Sequence, residues 1–156
     1  MSVELFMDVD ASGSEKDADA FPIRIAVAGP NDAAWMWCIC PLEDWNHWDQ
    51  AAEDGHGLSR DFLIAEGQDP YILSRVLNRL FKGKVVLVTS ESKKSLVEQL
   101  FNVIQVKMAF DLVTLEQTYD SETVQNIHDE LLEATFTRVA EEDVKILYKI
   151  IQSWAS

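Results

Sequence analysis

The chain has 156 residues, 47% of them hydrophobic, and carries a formal net charge of −14. That length supports one packed core and predicts one domain over residues 1–156, and the composition excludes an extended disordered chain. The charge excludes a broad electrostatic footprint for nucleic acid, because phosphate binding is driven by clustered Lys and Arg; a local basic patch or a metal would have to compensate.

Residues 3–9 read as a first strand, apolar enough to be central in a sheet. Side chains alternate along a strand, so Asp8 and Asp10 point the same way while Met7 and Val9 enter the opposite layer. Two like charges on one face of a buried strand persist only where a cation or a donor network balances them, and a divalent metal would do so. A second reading stays open, with Asp8 near the strand end and Asp10 opening an Asp-Ala-Ser-Gly turn, both solvated.

Residues 11–20 are small and charged and read as a loop. Residues 21–28 give a second strand, Gly29-Pro30-Asn31-Asp32 a hairpin turn and residues 35–40 a third strand, which together predict a three-strand meander. Cys38 and Cys40 fall on one side of that third strand. No His or Cys at metal-ligand spacing accompanies them, which predicts free thiols in a reducing compartment. Residues 41–56 are acidic, rich in Trp and the least periodic part of the chain.

Asp69-Pro70 is a helix start, with Asp as cap and Pro at the first helical position, and Ile72, Leu73, Val76, Leu77 and Leu80 form an inner face before Gly83. Residues 84–89 read as a buried strand, and Ser90 or Ser92 caps a helix with Leu96, Val97, Leu100, Phe101 and Ile104 inward. A short fifth strand is expected at residues 106–109. Two helices follow near residues 121–134 and 141–154, with Val124, Ile127, Leu131 and Leu132, then Val144, Leu147, Tyr148 and Ile151, facing in. This order predicts an α/β fold, a mixed β-sheet of about five strands flanked by helices. No basic-then-apolar leader and no bilayer-length run is present, which predicts a cytoplasmic protein without membrane association.

Asp8-Val9-Asp10-Ala11-Ser12-Gly13, followed by Phe21-Pro22-Ile23-Arg24-Ile25-Ala26, resembles the first motif of the DEDD-type (DEDDh) 3′-5′ exonucleases of the ribonuclease H-like superfamily. Trp45-Asn46-His47-Trp48-Asp49, Ala52-Glu53 and His56-Gly57-Leu58-Ser59-Arg60 resemble the stretch before the helix in bacterial proteins of this kind, and residues 83–88 with Leu96, Val97, Leu100 and Phe101 continue the similarity. It covers most of residues 5–105 and weakens afterwards. The resemblance implies a ribonuclease H-like sheet and a two-metal mechanism. In that mechanism carboxylates hold two Mg²⁺ or Mn²⁺ ions, which activate water and stabilise the displaced oxygens, and a His or Tyr acts as general base.

This chain departs from that pattern at several positions. Asp8 matches the first acid, and Asp10 stands one methylene short of the usual Glu. The position of the second-motif acid falls among Lys93, Lys94 and Ser95, none of which is a carboxylate, so Glu91 is the nearby substitute. Asp143 fits the acid on the last helix, but Arg138 occupies the place of the base, and arginine stays protonated. His128, one helix earlier, reads as a surface residue. His56, Trp45 and Trp48 read as packing groups or as contacts to a substrate or partner.

Three functional readings follow. The first is a weak metal-dependent 3′-5′ exonuclease using Asp8, Asp10, Asp143 and Glu91. The second, which the sequence favours, is the same fold with a degenerate site whose carboxylates are neutralised by Lys93, Lys94 or Arg138, acting through a single-stranded nucleic acid, a protein partner or a homodimer. General-base catalysis alone contributes about 10²–10⁴-fold, so loss of an acid and the base together leaves little hydrolysis. The third is an acidic interaction domain that presents the Trp-rich segment, residues 35–48, since aromatic side chains dominate interface hot spots; core and edge packing is the alternative for those rings.

Overall fold

The computed structural model describes residues 3–14, 16–137 and 139–155. β1 (Leu5–Ala11), β2 (Pro22–Ala28) and β3 (Ala34–Cys38) form the antiparallel meander. Its second turn is built on Asn31 and Asp32, both at φ 61°, a conformation Asn and Asp tolerate better than most residues. The helices α1 (Gln50–His56), α2 (Arg60–Glu66) and α3 (Pro70–Phe81) lead to β4 (Val85–Val88), and α4 (Glu91–Val103) leads on to β5 (Asp111–Thr114). A single turn, α5 (Leu115–Thr118), and two longer helices, α6 (Ser121–Glu133) and α7 (Ala140–Ala155), complete the chain.

The sheet order is β3-β2-β1-β4-β5, with β4 parallel to β1 and β5 parallel to β4. β1 is therefore the central strand, as its apolar run predicts, and the architecture is the expected mixed sheet between helices. Alternation divides its residues cleanly. Leu5, Met7 and Val9 join Ile23, Ile25 and Val27 in a core closed by Leu73, Leu77 and Phe81 of α3 and Val97, Leu100 and Phe101 of α4. On the opposite face Phe6, Ala26, Ala28 and Leu87 meet Ile127 of α6 and Val144, Leu147 and Ile151 of α7. The small side chains Ala26 and Ala28 leave room for α7 against β2, and Tyr148 sets its ring edge-on to Phe6 at 5.0 Å.

Asp69 caps α3 by accepting from the backbone N–H groups of Tyr71 and Ile72, and Ser90 caps α4 by accepting from that of Lys93. The fifth strand lies five residues beyond the expected one: residues 106–109 form an irregular link whose Val106 and Met108 pack on the core without pairing, and Asp111–Thr114 joins β4 instead. Three expected inner residues face outward, Ile72 at 54% exposure, Leu80 at 42% and Leu132 at 86%. The helix containing the first two buries a stripe shifted towards Leu73, Ser74, Leu77 and Phe81, with Ser74 satisfied by the Pro70 carbonyl at 2.7 Å. No described helix is long and apolar enough to cross a membrane.

Candidate functional site

β1 places Asp8 and Asp10 on the sheet face opposite Met7 and Val9, at the end of the strand beside α4 and the loop of residues 12–20. Asp10 stands opposite Arg24 in the β1–β2 register, and Arg24 stands opposite Cys38 in the next pair, so one row of side chains crosses three strands. Arg24 Nε donates to Asp10 Oδ2 at 2.7 Å. Lys93, in the first turn of α4, sets its ammonium on Asp8 Oδ1. Both carboxylates of the predicted metal pair thus face cations of the chain itself. Among the described residues no three His, Cys, Asp or Glu side chains come together as a metal-holding group.

The other predicted site residues gather unevenly. Asp10, Glu91, Lys93, Ser95, His56 and Asp143 border one cleft of about 770 Å³. Asp143 accepts from the Thr137 backbone N–H at 2.6 Å and from its hydroxyl at 2.8 Å, which ties the chain before α7 to the helix's first turn. Lys94 reaches Gln117 Oε1 at 3.4 Å, so of the two adjacent lysines it is Lys93 that meets Asp8. Arg138 lies outside the described residues. His128 is half-exposed, with Nε2 3.8 Å from Glu116, as a surface residue should be.

The Trp-rich segment runs from β3 to the start of α1, and its rings pack against the protein. α1 is capped by Asp49 and ends at Gly57, which takes φ 75°, and α2 is capped by Ser59. Trp45 is 9% exposed, stacked on Phe21 at 5.1 Å, and its carbonyl accepts from Arg60 at 2.7 Å. Trp48 donates from Nε1 to Glu53 at 3.0 Å and meets the His56 ring edge-on at 5.9 Å. Trp35 and Trp37 contact Phe81. These rings are engaged inside the protein, with Trp48 standing behind His56 at the cleft.

His56 Nδ1 accepts from the Leu58 backbone N–H at 3.0 Å, so the neutral ring carries its proton on Nε2, a buried atom with no hydrogen-bond partner among the described residues. Burial pulls the His56 pKa below the ordinary histidine value, Asp10 and Glu53 opposing it and Arg24 adding to it. With the folded pKa depressed, stability from the neutral ring is fully present above the unfolded value of ~6.5 and is lost as pH falls through the folded value. Urea unfolding should therefore show lower stability at pH 5 than at pH 7.5, and the gap should narrow in His56→Gln; an equal gap in both proteins would assign the acid sensitivity elsewhere.

Sequence reasoning missed a set of contacts beside the cleft, whose lining includes Gly13 and Asp17. Ser12, fully buried, accepts from the Phe21 backbone N–H at 3.0 Å through its hydroxyl oxygen and hydrogen-bonds His47 Nδ1 at 3.0 Å. His47 Nε2 stands 3.4 Å from Asp17. Gly13 makes the crossing possible, since a Cβ there would lie 2.2 Å from His47 Cε1 and 2.5 Å from Asp17 Oδ2. The partners are 35 residues apart, beyond local pattern. Arg24 was legible in principle, because pairing the two predicted strands puts a cation opposite Asp10.

No protein-family profile and no curated protein matches the sequence. Solved structures do match the fold. Exonuclease I of E. coli in complex with a dA16 oligonucleotide superposes with a TM-score of 0.67 at 13% identity, over 98% of this chain and 41% of that one. The zinc-bound complex of the E. coli enzyme with ssDNA gives 0.64 at 12% identity, over 97% and 39%, and a product-bound exonuclease I gives 0.67 at 12%, over 96% and 43%. The chain spans about two-fifths of the length of these proteins. At such identity the likeness establishes the fold alone: a mixed five-stranded α/β sheet flanked by helices, arranged as in E. coli exonuclease I.

Proposed function

We propose that this chain is an exonuclease-fold domain whose carboxylate pair is neutralised by its own cations, and that it acts by holding a single-stranded nucleic acid at the cleft with little or no hydrolysis. The observation that carries the reading is the double replacement at β1: Lys93 on Asp8 and Arg24 on Asp10. An ammonium seated on a carboxylate competes with a divalent ion for the same oxygens, and a metal would have to displace it before binding. The absence of an acid at Lys93, Lys94 and Ser95 supports the same reading. The ssDNA complexes of the structural neighbours supply the choice of ligand class.

A weak Mg²⁺- or Mn²⁺-dependent 3′-5′ exonuclease is the second reading, favoured by the placement of Asp10, Glu91 and Asp143 around one cleft. Calorimetric titration of Mn²⁺ into the purified protein, with Asp8→Asn as control, separates the two. The expected result is no saturable binding that depends on Asp8, and no shortening of a 5′-labelled single strand, while fluorescence anisotropy registers the strand bound at low salt. Binding of about two ions lost in Asp8→Asn, together with strand shortening, would overturn the proposal in favour of the exonuclease.

A further inference from the structure

The chain carries 27 acids against 13 Lys and Arg, yet residues 70–90 contain no Asp or Glu at all. In that stretch the outer face of α3 bears Arg75 and Arg79 one helical turn apart, and Lys82 closes the same stripe at the helix end, all three exposed. Leu73, Leu77 and Phe81 take the inner face, so the stripe points to solvent. The exposed Lys107 joins it from the link after α4. Asn78 donates from its amide to the Lys107 carbonyl at 2.8 Å and accepts from the Ala109 N–H at 2.8 Å, while Gly83 N–H donates to the Ala109 carbonyl at 2.9 Å. Lys84, the next cation along, is engaged by Glu4 at 3.0 Å.

An aromatic ring stands in the same stripe. Tyr71 is 49% exposed, one turn before Arg75, whose guanidinium carbon lies 5.7 Å from the ring centroid and whose Nη1 donates to the Tyr71 hydroxyl at 3.3 Å. Cations interleaved with an open ring match a single strand, since Arg and Lys meet phosphates and the ring stacks on a base. The cleft does not supply that charge: Asp10, Asp17, Glu91 and Asp143 border it against Arg24 and Lys93, both set on carboxylates.

We propose, building on the nucleic-acid reading above, that the outer face of α3 with Lys107 beside it takes the phosphates of a single-stranded nucleic acid, and that Tyr71 stacks on one base. The affinity then comes from a helix packed in the same layer as α4, whose first turn borders the cleft.

The test is fluorescence anisotropy of labelled oligo-dT titrated with the full chain across a salt series. Contact with about four phosphates, at about −0.7 each on a single strand, gives a slope of log affinity against log salt of about −2.8, and Arg79→Ala with Lys82→Ala should halve it to about −1.4. Tyr71→Ala should weaken binding about tenfold at every salt concentration with the slope unchanged, because a stacked base releases no counterion. Lys149→Ala removes an exposed charge from α7, on the opposite layer, and should match the parent. All these side chains are exposed or half-exposed, so melting temperatures should match as well. A parental slope in the double variant, or an equal loss in Lys149→Ala, would overturn the stripe and leave the nucleic-acid reading standing. No binding by the parent would overturn both, and capture of phosphatidylserine vesicles in place of the strand would reassign the stripe to a membrane surface.

Discussion

Replacing Lys93 with aspartate is expected to create a Mn²⁺ response, beside Asp8, larger than any the parent shows. In the parent, the ammonium of Lys93 occupies the space beside Asp8 that a shared cation would need. Lys93→Asp puts a second carboxylate near Asp8, with Glu91 in the same turn of α4 and Asp10 two residues along β1. Without metal the variant should be less stable than the parent by about 2 kcal/mol, since an ion pair is exchanged for a like-charge pair in a partly buried cleft. With Mn²⁺ at 100 times its dissociation constant, mass action returns ~2.7 kcal/mol. For a chain of this size that is a rise in melting temperature of about 5–10 °C, read by thermal shift with and without EDTA. A Mn²⁺ response in the parent equal to that of the variant would show that Lys93 does not compete for the site.

The second large effect is structural. Gly67 closes α2 at φ −71° and ψ 154°, angles open to any residue, so its constraint is space. A Cβ there would lie 2.4 Å from Cys40 N, 2.5 Å from the Leu63 carbonyl oxygen and 2.6 Å from Ile39 C, all backbone atoms with no rotamer to yield. Gly67→Ala must therefore pull apart the bridge between Ile39 and Gln68 that anchors the end of β3. A loss of about 2–4 kcal/mol is expected, a fall in melting temperature of about 5–15 °C. Gly55, inside α1, is the control: a Cβ there meets nothing within 4 Å, and Gly55→Ala should be neutral or gain about 0.5–1 kcal/mol from helix propensity. Equal effects from the two substitutions would remove the close-approach argument.

The parts of the fold legible in the sequence are those whose signals are local and redundant. β1 and the meander announce themselves by continuous apolar runs and a Gly-Pro-Asn-Asp turn, and α3 and α4 by a cap followed by a helical stripe. α1 was illegible because it buries no residue, and α2 because Leu63 alone is buried, so neither shows a periodic face. β5 was misplaced because Val106 and Met108 have the composition of a strand, while Asp111–Thr114 opens on an exposed acid and owes its strand to pairing with β4. At the cleft, the lysines opposite Asp8 were visible as a departure from an expected acid. That Lys93 and not Lys94 makes the contact is decided by the rotation of α4 on the sheet. Arg24 follows from pairing the two predicted strands, whereas the Ser12–His47 contact, 35 residues apart, needed the folded chain.

The two ion pairs at β1 also differ in when they can form. Asp10 and Arg24 are 14 residues apart and become neighbours as soon as the first hairpin closes, whereas Asp8 and Lys93 are separated by 85 residues and wait for β4 and α4 to dock across the sheet. Closing the longer loop carries the larger chain-entropy cost, so the local pair belongs to the early events of folding and the distant one to the late. Late contacts act mainly on the rate of unfolding. The charge swap that occupies Asp8 would then serve as a kinetic clasp, holding the finished sheet closed rather than helping to assemble it.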